Sequence, residues 1–180
     1  MTGMTYELLR ATLRLQWPAP LGRRGGSRRL YSDGVFATDS GRARFHAVEY
    51  RPPAELPDAD FPYVLTTGRV KDQWHTRTRT GKVSKLNASE PAPFVELSRS
   101  DARFLAIDSG SMAELRSRRG VARLPARVSD SIRPGTVFVP FHWAGLWDVS
   151  GDVNMLTSDA FDPVSKEPEL KYSAVGLRRV

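Results

Sequence analysis

Residues 112–128, MAELRSRRGVARLPARV, form the clearest strand pattern in the chain. Two short runs that suit strands, Met112–Arg116 and Val121–Val128, are joined by Ser-Arg-Arg-Gly at 117–120. A short polar connection that ends in glycine, placed between two such runs, predicts a β-hairpin. We therefore expect the part of the chain around this hairpin to be mainly β.

Similar short runs recur on both sides of this hairpin, with turn residues between them. The predicted strands lie at 63–67, 94–97, 136–141 and 173–180. A short helix is predicted at 100–106, with Ser100 as its N-cap and Asp101 in its first turn. Six or seven short strands with one or two short helices predict a closed or nearly closed β-barrel.

The first third of the chain has a different pattern. Residues 1–24 begin with leucines at helical spacing, and glycine-containing turns within 30–50 predict β-hairpins. Residues 52–62, PPAELPDADFP, hold four prolines and predict an extended linker. We expect two regions, an N-terminal extension at 1–60 and a barrel domain at 61–180.

Composition excludes several classes of function. The 180 residues contain no cysteine, which excludes disulfides, thiolate catalysis and cysteine-ligated metal clusters in this chain. The three histidines are far apart in sequence, so no metal site is predicted. We find neither a run of about 18 apolar residues nor a signal-peptide pattern, and we expect a cytoplasmic location and no membrane partner.

The net charge of +7 is concentrated in the middle of the chain. Residues 61–130 carry 13 basic and 7 acidic side chains, a balance of +6. Six of the cations fall within residues 69–85, together with Trp74, His75 and four hydroxyl side chains. Such a segment attracts anions, although a solvated basic loop would have the same composition.

The segment TTGRVKDQWHT at 66–76 resembles the C-terminal dinucleotide-binding domain of the molybdopterin oxidoreductases, most of all assimilatory nitrate reductases. Two further segments of the family follow in order, PGTVFVPFHW at 134–143 and VNMLT at 153–157. A third, DPVSKEPELK, lies at 162–171. Upstream, DSGRARF at 39–45 resembles the end of the preceding, cofactor-holding domain of such enzymes.

This resemblance implies a double-psi β-barrel at 61–180 and, as its ligand, molybdopterin guanine dinucleotide, two copies of which hold molybdenum (Mo-bis-MGD). Residues 1–60 would be the tail of the preceding domain plus a linker. Phe141 would lie near the substrate. The implied cofactor contacts are Thr67, Gly68, Arg69, Val70, Lys71, Asp72, Gln73, Trp74, His75, Thr76, Asn154 and Lys171.

The chemistry of these residues suits such a ligand. Gly68 permits close approach of the backbone to a pyrophosphate, and Arg69 or Lys71 supplies a cation. Trp74 offers a flat surface to guanine, and Asp72 offers acceptors for its hydrogen-bonding edge. Purely structural roles remain open for several of these positions, a barrel-end cap for Trp74 among them.

Members of this family carry an iron–sulfur cluster in a cysteine-rich N-terminal part, so that cluster belongs to domains absent from this chain. We predict no catalytic residue here, and we do not expect catalysis by this chain alone. The implied partner is the remainder of a nitrate reductase-like enzyme that converts nitrate to nitrite, although formate dehydrogenases share much of this barrel. Two alternatives remain: a basic barrel that binds single-stranded nucleic acid, and a non-catalytic structural subunit.

Overall fold

The computed structural model describes residues 3–22, 25–147 and 151–180, which form two compact units, Met1–Tyr50 and Arg51–Val180. The helices are α1 (Tyr6–Thr12), α2 (Ser84–Ser89) and α3 (Arg99–Phe104), with 3₁₀ helices at Thr80–Lys82 and Val153–Met155. The strands are β1 (Tyr63–Gly68), β2 (Val95–Ser98), β3 (Met112–Arg116), β4 (Val121–Ser129), β5 (Thr136–Pro140) and β6 (Ser173–Arg179). The predicted division at residue 60, and the roles given to its two sides, stay predictions.

The first unit contains the helix predicted near the N-terminus. The side chain of Thr5 caps α1 by accepting a hydrogen bond from the amide of Leu8 at 3.1 Å. The hairpins predicted within 30–50 are wrong, because the described chain has only turns and bends there. Turns close at Gly34 and Gly41, but the residues beside them are largely exposed and have no apolar face to pair.

The second unit is a closed six-stranded barrel in the order β1-β5-β2-β4-β3-β6. Two strand pairs are parallel, β1 with β5 and β2 with β4, and the other four pairs are antiparallel. The β3–β4 hairpin lies where the sequence predicts it. The mainly β, double-psi barrel is therefore confirmed, as are the six strand regions from which it was predicted.

The barrel interior is filled by aliphatic side chains from all six strands. Its fully buried members include Leu65, Val95, Leu97, Leu115, Leu124, Val137, Val139 and Val175. Leucine and β-branched residues pack well on a pleated surface that is buried on one face. The barrel thus has a solid core, and ligand-binding groups must lie on its rims or outside.

Helix α3 spans Arg99–Phe104 rather than the predicted 100–106, and its N-cap lies two residues earlier than predicted. Ser98, rather than Ser100, is the N-cap, and its hydroxyl oxygen accepts from the amide of Asp101 at 3.1 Å. The carboxylate of Asp101 also accepts from the amide of Gly135 at 2.9 Å. The cap therefore lies at the end of β2, where the strand backbone turns into the helix.

The strand directions bring the longest connections to one end of the barrel, here called the loop rim. The carboxyl ends of β1, β3 and β5 lie there, as do the amino ends of β2, β4 and β6. Among the described residues, the loop rim is therefore formed by 69–94, 117–120, 141–147 and 151–172. All the predicted binding residues lie in these connections or in the last two residues of β1.

Residues 51–62 run along the barrel without regular secondary structure, consistent with the extended conformation predicted there. Glu55 fastens this segment to the barrel: its carboxylate accepts from the amide of Ala174 at 2.7 Å and from the Arg119 guanidinium at 2.6 Å. Burial disfavours the charged form, but these hydrogen bonds, with the charges of Arg119 and Arg118, hold the pKa of Glu55 below its ordinary value. No helix in the described ranges is long and apolar enough to cross a membrane.

Candidate functional site

The end of β1 is joined to the segment that precedes β6. The hydroxyl of Thr67 donates to the carbonyl oxygen of Leu170 at 2.8 Å, and the ammonium of Lys171 donates to the carbonyl oxygen of Thr67 at 2.6 Å. These bonds bring together two predicted contacts that are 104 residues apart in sequence. Lys171 is otherwise exposed, and its remaining N–H groups can reach a ligand on the loop rim.

A buried histidine that the sequence analysis did not single out as a binding residue shapes the loop after β1. His142 is fully buried, and its Nε2 accepts from the amide of Val70 at 2.9 Å. Its Nδ1 therefore carries the proton and donates to the carbonyl oxygen of His75 at 2.6 Å. The ring of His142 thus links both ends of segment 70–75 to the connection that follows β5.

The His142 ring is neutral in this position. Burial lowers its pKa, and the positive charges of Arg77 and Arg69 act in the same direction, whereas the hydrogen bond to His75 opposes them. A protonated ring could not accept from Val70. The conformation of the loop is therefore coupled to the protonation state of one side chain.

The outer face of the same loop carries the groups expected to meet a ligand. Arg69, Lys71, Trp74, His75 and Thr76 are all exposed. The guanidinium carbon of Arg69 lies 4.9 Å from the ring centroid of Trp74, whose side chain is 56% exposed. A cation and an indole face are thus presented together, an arrangement suited to a flat, anionic ligand.

Gln73 lies on the inner side of the loop. Its side chain is buried, with its carbonyl accepting from Thr80 at 2.8 Å and its amide donating to Asn87 at 3.1 Å. These contacts hold the loop against the Thr80–Lys82 3₁₀ helix and against α2. Neither of these two helices was predicted from the sequence. A contact of Gln73 with the cofactor stays a prediction, as does one of the half-buried Asp72.

Phe141 lies beside Lys171 at the end of β5. It is half-buried and packs against the core, with its ring centroid 5.8 Å from the Lys171 ammonium nitrogen. Its amide donates to the carbonyl oxygen of Gly68 at 3.1 Å. The structure thus joins Phe141 to the β1 end, and its place beside a substrate stays a prediction.

Asn154 lies on a separate part of the loop rim. It belongs to the Val153–Met155 3₁₀ helix, which packs against β4, and its side chain is exposed. In the described part of the chain no hydrogen bond joins it to residues 67–76. A contact with the cofactor stays a prediction for Asn154, and the ligand would have to span the rim to reach it.

Arg77 is the most unusual residue of the loop, and the sequence analysis noted no role for it. It is 6% exposed, and its guanidinium carbon lies 4.9 Å from the ring centroid of Trp143 and 5.0 Å from that of Trp147. Its Nη2 donates to Asn87 at 2.8 Å, and its Nε has no partner within residues 3–22, 25–147 and 151–180. Two tryptophans in the connection after β5 were the sequence feature that could have indicated this contact, since large aromatic side chains usually take part in packing or hydrogen bonding.

The donor set of the loop rim fits a dinucleotide. Arg69, Lys71 and Lys171 can meet a pyrophosphate, and Trp74 can stack on a base. Among the described residues, no group of histidine, aspartate and glutamate side chains is arranged to hold a metal ion.

Residues 63–174 match a family model described as “Molydopterin dinucleotide binding domain”. The chain belongs to this family. The matched range begins with β1 and ends in β6, so it includes every predicted cofactor contact from Thr67 to Lys171. It also includes Phe141, His142 and Arg77.

Curated relatives of this dinucleotide-binding domain include a nitrate reductase from Synechocystis sp., 42% identical over 183 residues. That alignment covers 99% of this chain and 26% of the relative. The F420-dependent formate dehydrogenase subunit alpha of Methanocaldococcus jannaschii is 39% identical over 178 residues, covering 99% of this chain and 25% of that protein. The chain therefore spans about a quarter of the length of these relatives, and the predicted resemblance to nitrate reductases is confirmed.

Among solved structures, acetylene hydratase from Pelobacter acetylenicus matches with a TM-score of 0.60 at 19% identity. The match covers 73% of this chain and 21% of the hydratase. At this identity the likeness supports the barrel fold alone.

Proposed function

We propose that the loop rim binds molybdopterin guanine dinucleotide as one domain of a larger molybdenum oxidoreductase. The observation that carries the proposal is the convergence of Thr67, Lys171 and segment 69–76 at the carboxyl end of β1. The family match supplies the ligand class. The bound molybdenum–pterin group would supply the redox chemistry, and this chain would hold and orient it.

The residues divide into three kinds of contact. Arg69, Lys71 and Lys171 would bind the pyrophosphate through charge-assisted hydrogen bonds. Trp74 would stack on the guanine, and Asp72 would accept from its exocyclic amine. The buried ring of His142 would keep the amides of the loop in place without touching the ligand.

For the whole enzyme we propose reduction of nitrate to nitrite, with formate dehydrogenation as the second candidate. The nitrate reductase relative favours the first, and the formate dehydrogenase relative, at similar identity, favours the second. The partner of this chain would be the rest of the enzyme, which the longer relatives contain. The location of the enzyme in the cell would be cytoplasmic. Assaying the complete protein with nitrate and with formate as substrates separates the two reactions.

The direct test is titration calorimetry of the chain with GDP and with ADP, since GDP carries the guanosine and pyrophosphate of the cofactor. We expect GDP to bind more tightly than ADP. Replacing Trp74 with alanine should weaken GDP binding by roughly tenfold, because stacking on a base is worth about 1–3 kcal/mol. Trp17→Ala is the matched control, since Trp17 is exposed to a similar extent, 54% against 56%.

A single-stranded oligonucleotide titrated at several salt concentrations tests the nucleic-acid alternative. Binding that weakens steeply and linearly with the logarithm of salt, without GDP preference, would support that alternative and contradict our proposal. Absence of binding to either ligand would favour the structural subunit.

A further inference from the structure

Arg77 combines two energetically unfavourable features, a left-handed backbone conformation and a buried charged group. Its backbone φ is +62°, in the left-handed region that residues other than glycine rarely adopt. Its guanidinium is buried, and burial lowers the pKa of this group. A residue held in such surroundings must be stabilised by the structure around it.

The stabilising contacts come from two tryptophans of the connection that follows β5. The guanidinium lies about equally far from the ring centroids of Trp143 and Trp147, at 4.9 and 5.0 Å. Cation–π contacts are strengthened when the partners are shielded from water, and Arg77 and Trp143 are buried while Trp147 is partly exposed. The flat guanidinium therefore links the connection after β1 to the connection after β5.

Hydrogen bonds extend this link on both sides. Arg77 donates to the side chain of Asn87 at 2.8 Å, and Asn87 donates to the carbonyl oxygen of Gly81 at 2.7 Å. The indole N–H of Trp147 donates to the carbonyl oxygen of Thr76 at 2.7 Å. Thr76 is the last residue of the proposed binding segment, so the network ends on that segment.

We propose that Arg77, held between Trp143 and Trp147, is a positioning residue that fixes segment 69–76 in its binding conformation before the dinucleotide arrives. This inference rests on the proposed function of the loop rim. A loop that is already ordered loses less conformational entropy on binding, so the ligand binds more tightly. Arg77 itself is buried and does not touch the ligand.

The test compares Arg77→Met with Arg103→Met in the full chain. Methionine fills much of the same space without the charge and the planar group. Arg103 is an exposed arginine of α3, at the opposite end of the barrel from the loop rim, so its replacement controls for the loss of one positive charge. We expect Arg77→Met to bind GDP roughly tenfold more weakly, and Arg103→Met to bind it as the wild type does.

Hydrogen exchange of the ligand-free chain separates positioning from a general loss of stability. In Arg77→Met we expect faster exchange of the Trp147 indole N–H and of the amides of segment 69–76, with unchanged exchange in β2 and β5. Faster exchange throughout the barrel would mean that Arg77 only stabilises the fold, and would overturn the inference. Unchanged exchange in segment 69–76 would overturn it as well.

A double-mutant cycle keeps the test decisive if one variant is weakly folded. Trp147→Phe removes the hydrogen bond to Thr76, and its effect on GDP affinity should be less than additive with that of Arg77→Met. Full additivity would contradict a shared network. If the wild-type chain itself fails to bind GDP, the proposed function fails and this inference falls with it; if only Arg77→Met binds as the wild type does, the role of Arg77 alone is refuted.

Discussion

The ammonium of Lys171 donates a 2.6 Å hydrogen bond to the carbonyl oxygen of Thr67, at the point where β1 ends. This bond holds a positive charge beside the segment with the most exposed cations of the loop rim. It also joins the segment before β6 to β1, so one side chain contributes both to the barrel and to the proposed site.

Replacing Lys171 with methionine should weaken GDP binding by about tenfold, because a hydrogen bond to a charged group contributes about 1.5–3 kcal/mol. Titration calorimetry measures this loss. Lys166→Met is the matched control, since Lys166 is an exposed lysine of the same connection whose ammonium faces Phe161. Equal losses in both variants would mean that only the net charge matters.

Acid should destabilise the chain through His142. The unfolded chain protonates this ring near pH 6.5, whereas burial lowers its folded pKa, so the unfolded state binds more protons below pH 6.5. Stability contributed by the neutral ring is therefore complete above pH 6.5 and falls as the pH decreases toward the folded pKa. Urea unfolding midpoints between pH 7.5 and 5 measure this slope.

The matched variants for this pH dependence are His142→Gln and His46→Gln. His142→Gln should flatten the slope, and His46→Gln, at an exposed position, should leave it as in the wild type. An unchanged slope in His142→Gln would show that other groups cause the acid sensitivity.

The barrel was predictable because its strands follow local rules. Short β-branched runs such as Thr136–Pro140 and the connection at 117–120 indicate strands and turns without reference to the rest of the chain. The same reasoning failed at 30–50, where turn residues occur but no apolar face is buried against a partner strand. Turn signals alone therefore do not make a hairpin.

The site was only partly predictable, for a related reason. The motif residues from Thr67 to Thr76 are adjacent in sequence, so a resemblance finds them together. The contacts that shape the loop, through His142, Arg77 and Asn87, join residues about 10 to 72 positions apart. Such contacts depend on which connections the barrel brings to one rim, and no local pattern encodes that.

Glu55→Gln should lower the free energy of unfolding by about 2 kcal/mol, because a largely buried carboxylate loses its charge-assisted hydrogen bonds. The side chain is only 11% exposed and accepts from Arg119 and from the amide of Ala174. Since the folded pKa of Glu55 is lowered, its contribution is present above about pH 4.5 and is lost in more acidic solution. Urea denaturation at pH 7 and at pH 4 measures both effects.

The control for Glu55 is Asp130→Asn, which breaks an exposed ion pair with Arg99. Water and salt screen exposed pairs of this kind, so this variant should stay close to the wild type in its free energy of unfolding. A larger loss in Asp130→Asn than in Glu55→Gln would contradict the importance given to the segment 51–62.

Gly81→Ala should disturb the contact between the two connections of the loop rim. A Cβ atom at this position would lie 2.7 Å from the Trp147 ring and 3.1 Å from the Cβ of Arg77, so the indole must shift from the position in which it donates to Thr76. Overpacking of this kind costs about 1–3 kcal/mol, and the indole N–H of Trp147 should exchange faster with solvent. Gly145→Ala is the matched control, because a Cβ there would meet no described atom within 4 Å. Faster indole exchange in Gly81→Ala, with wild-type exchange in Gly145→Ala, is expected if close packing fixes the loop, and equal rates in the two variants would contradict it.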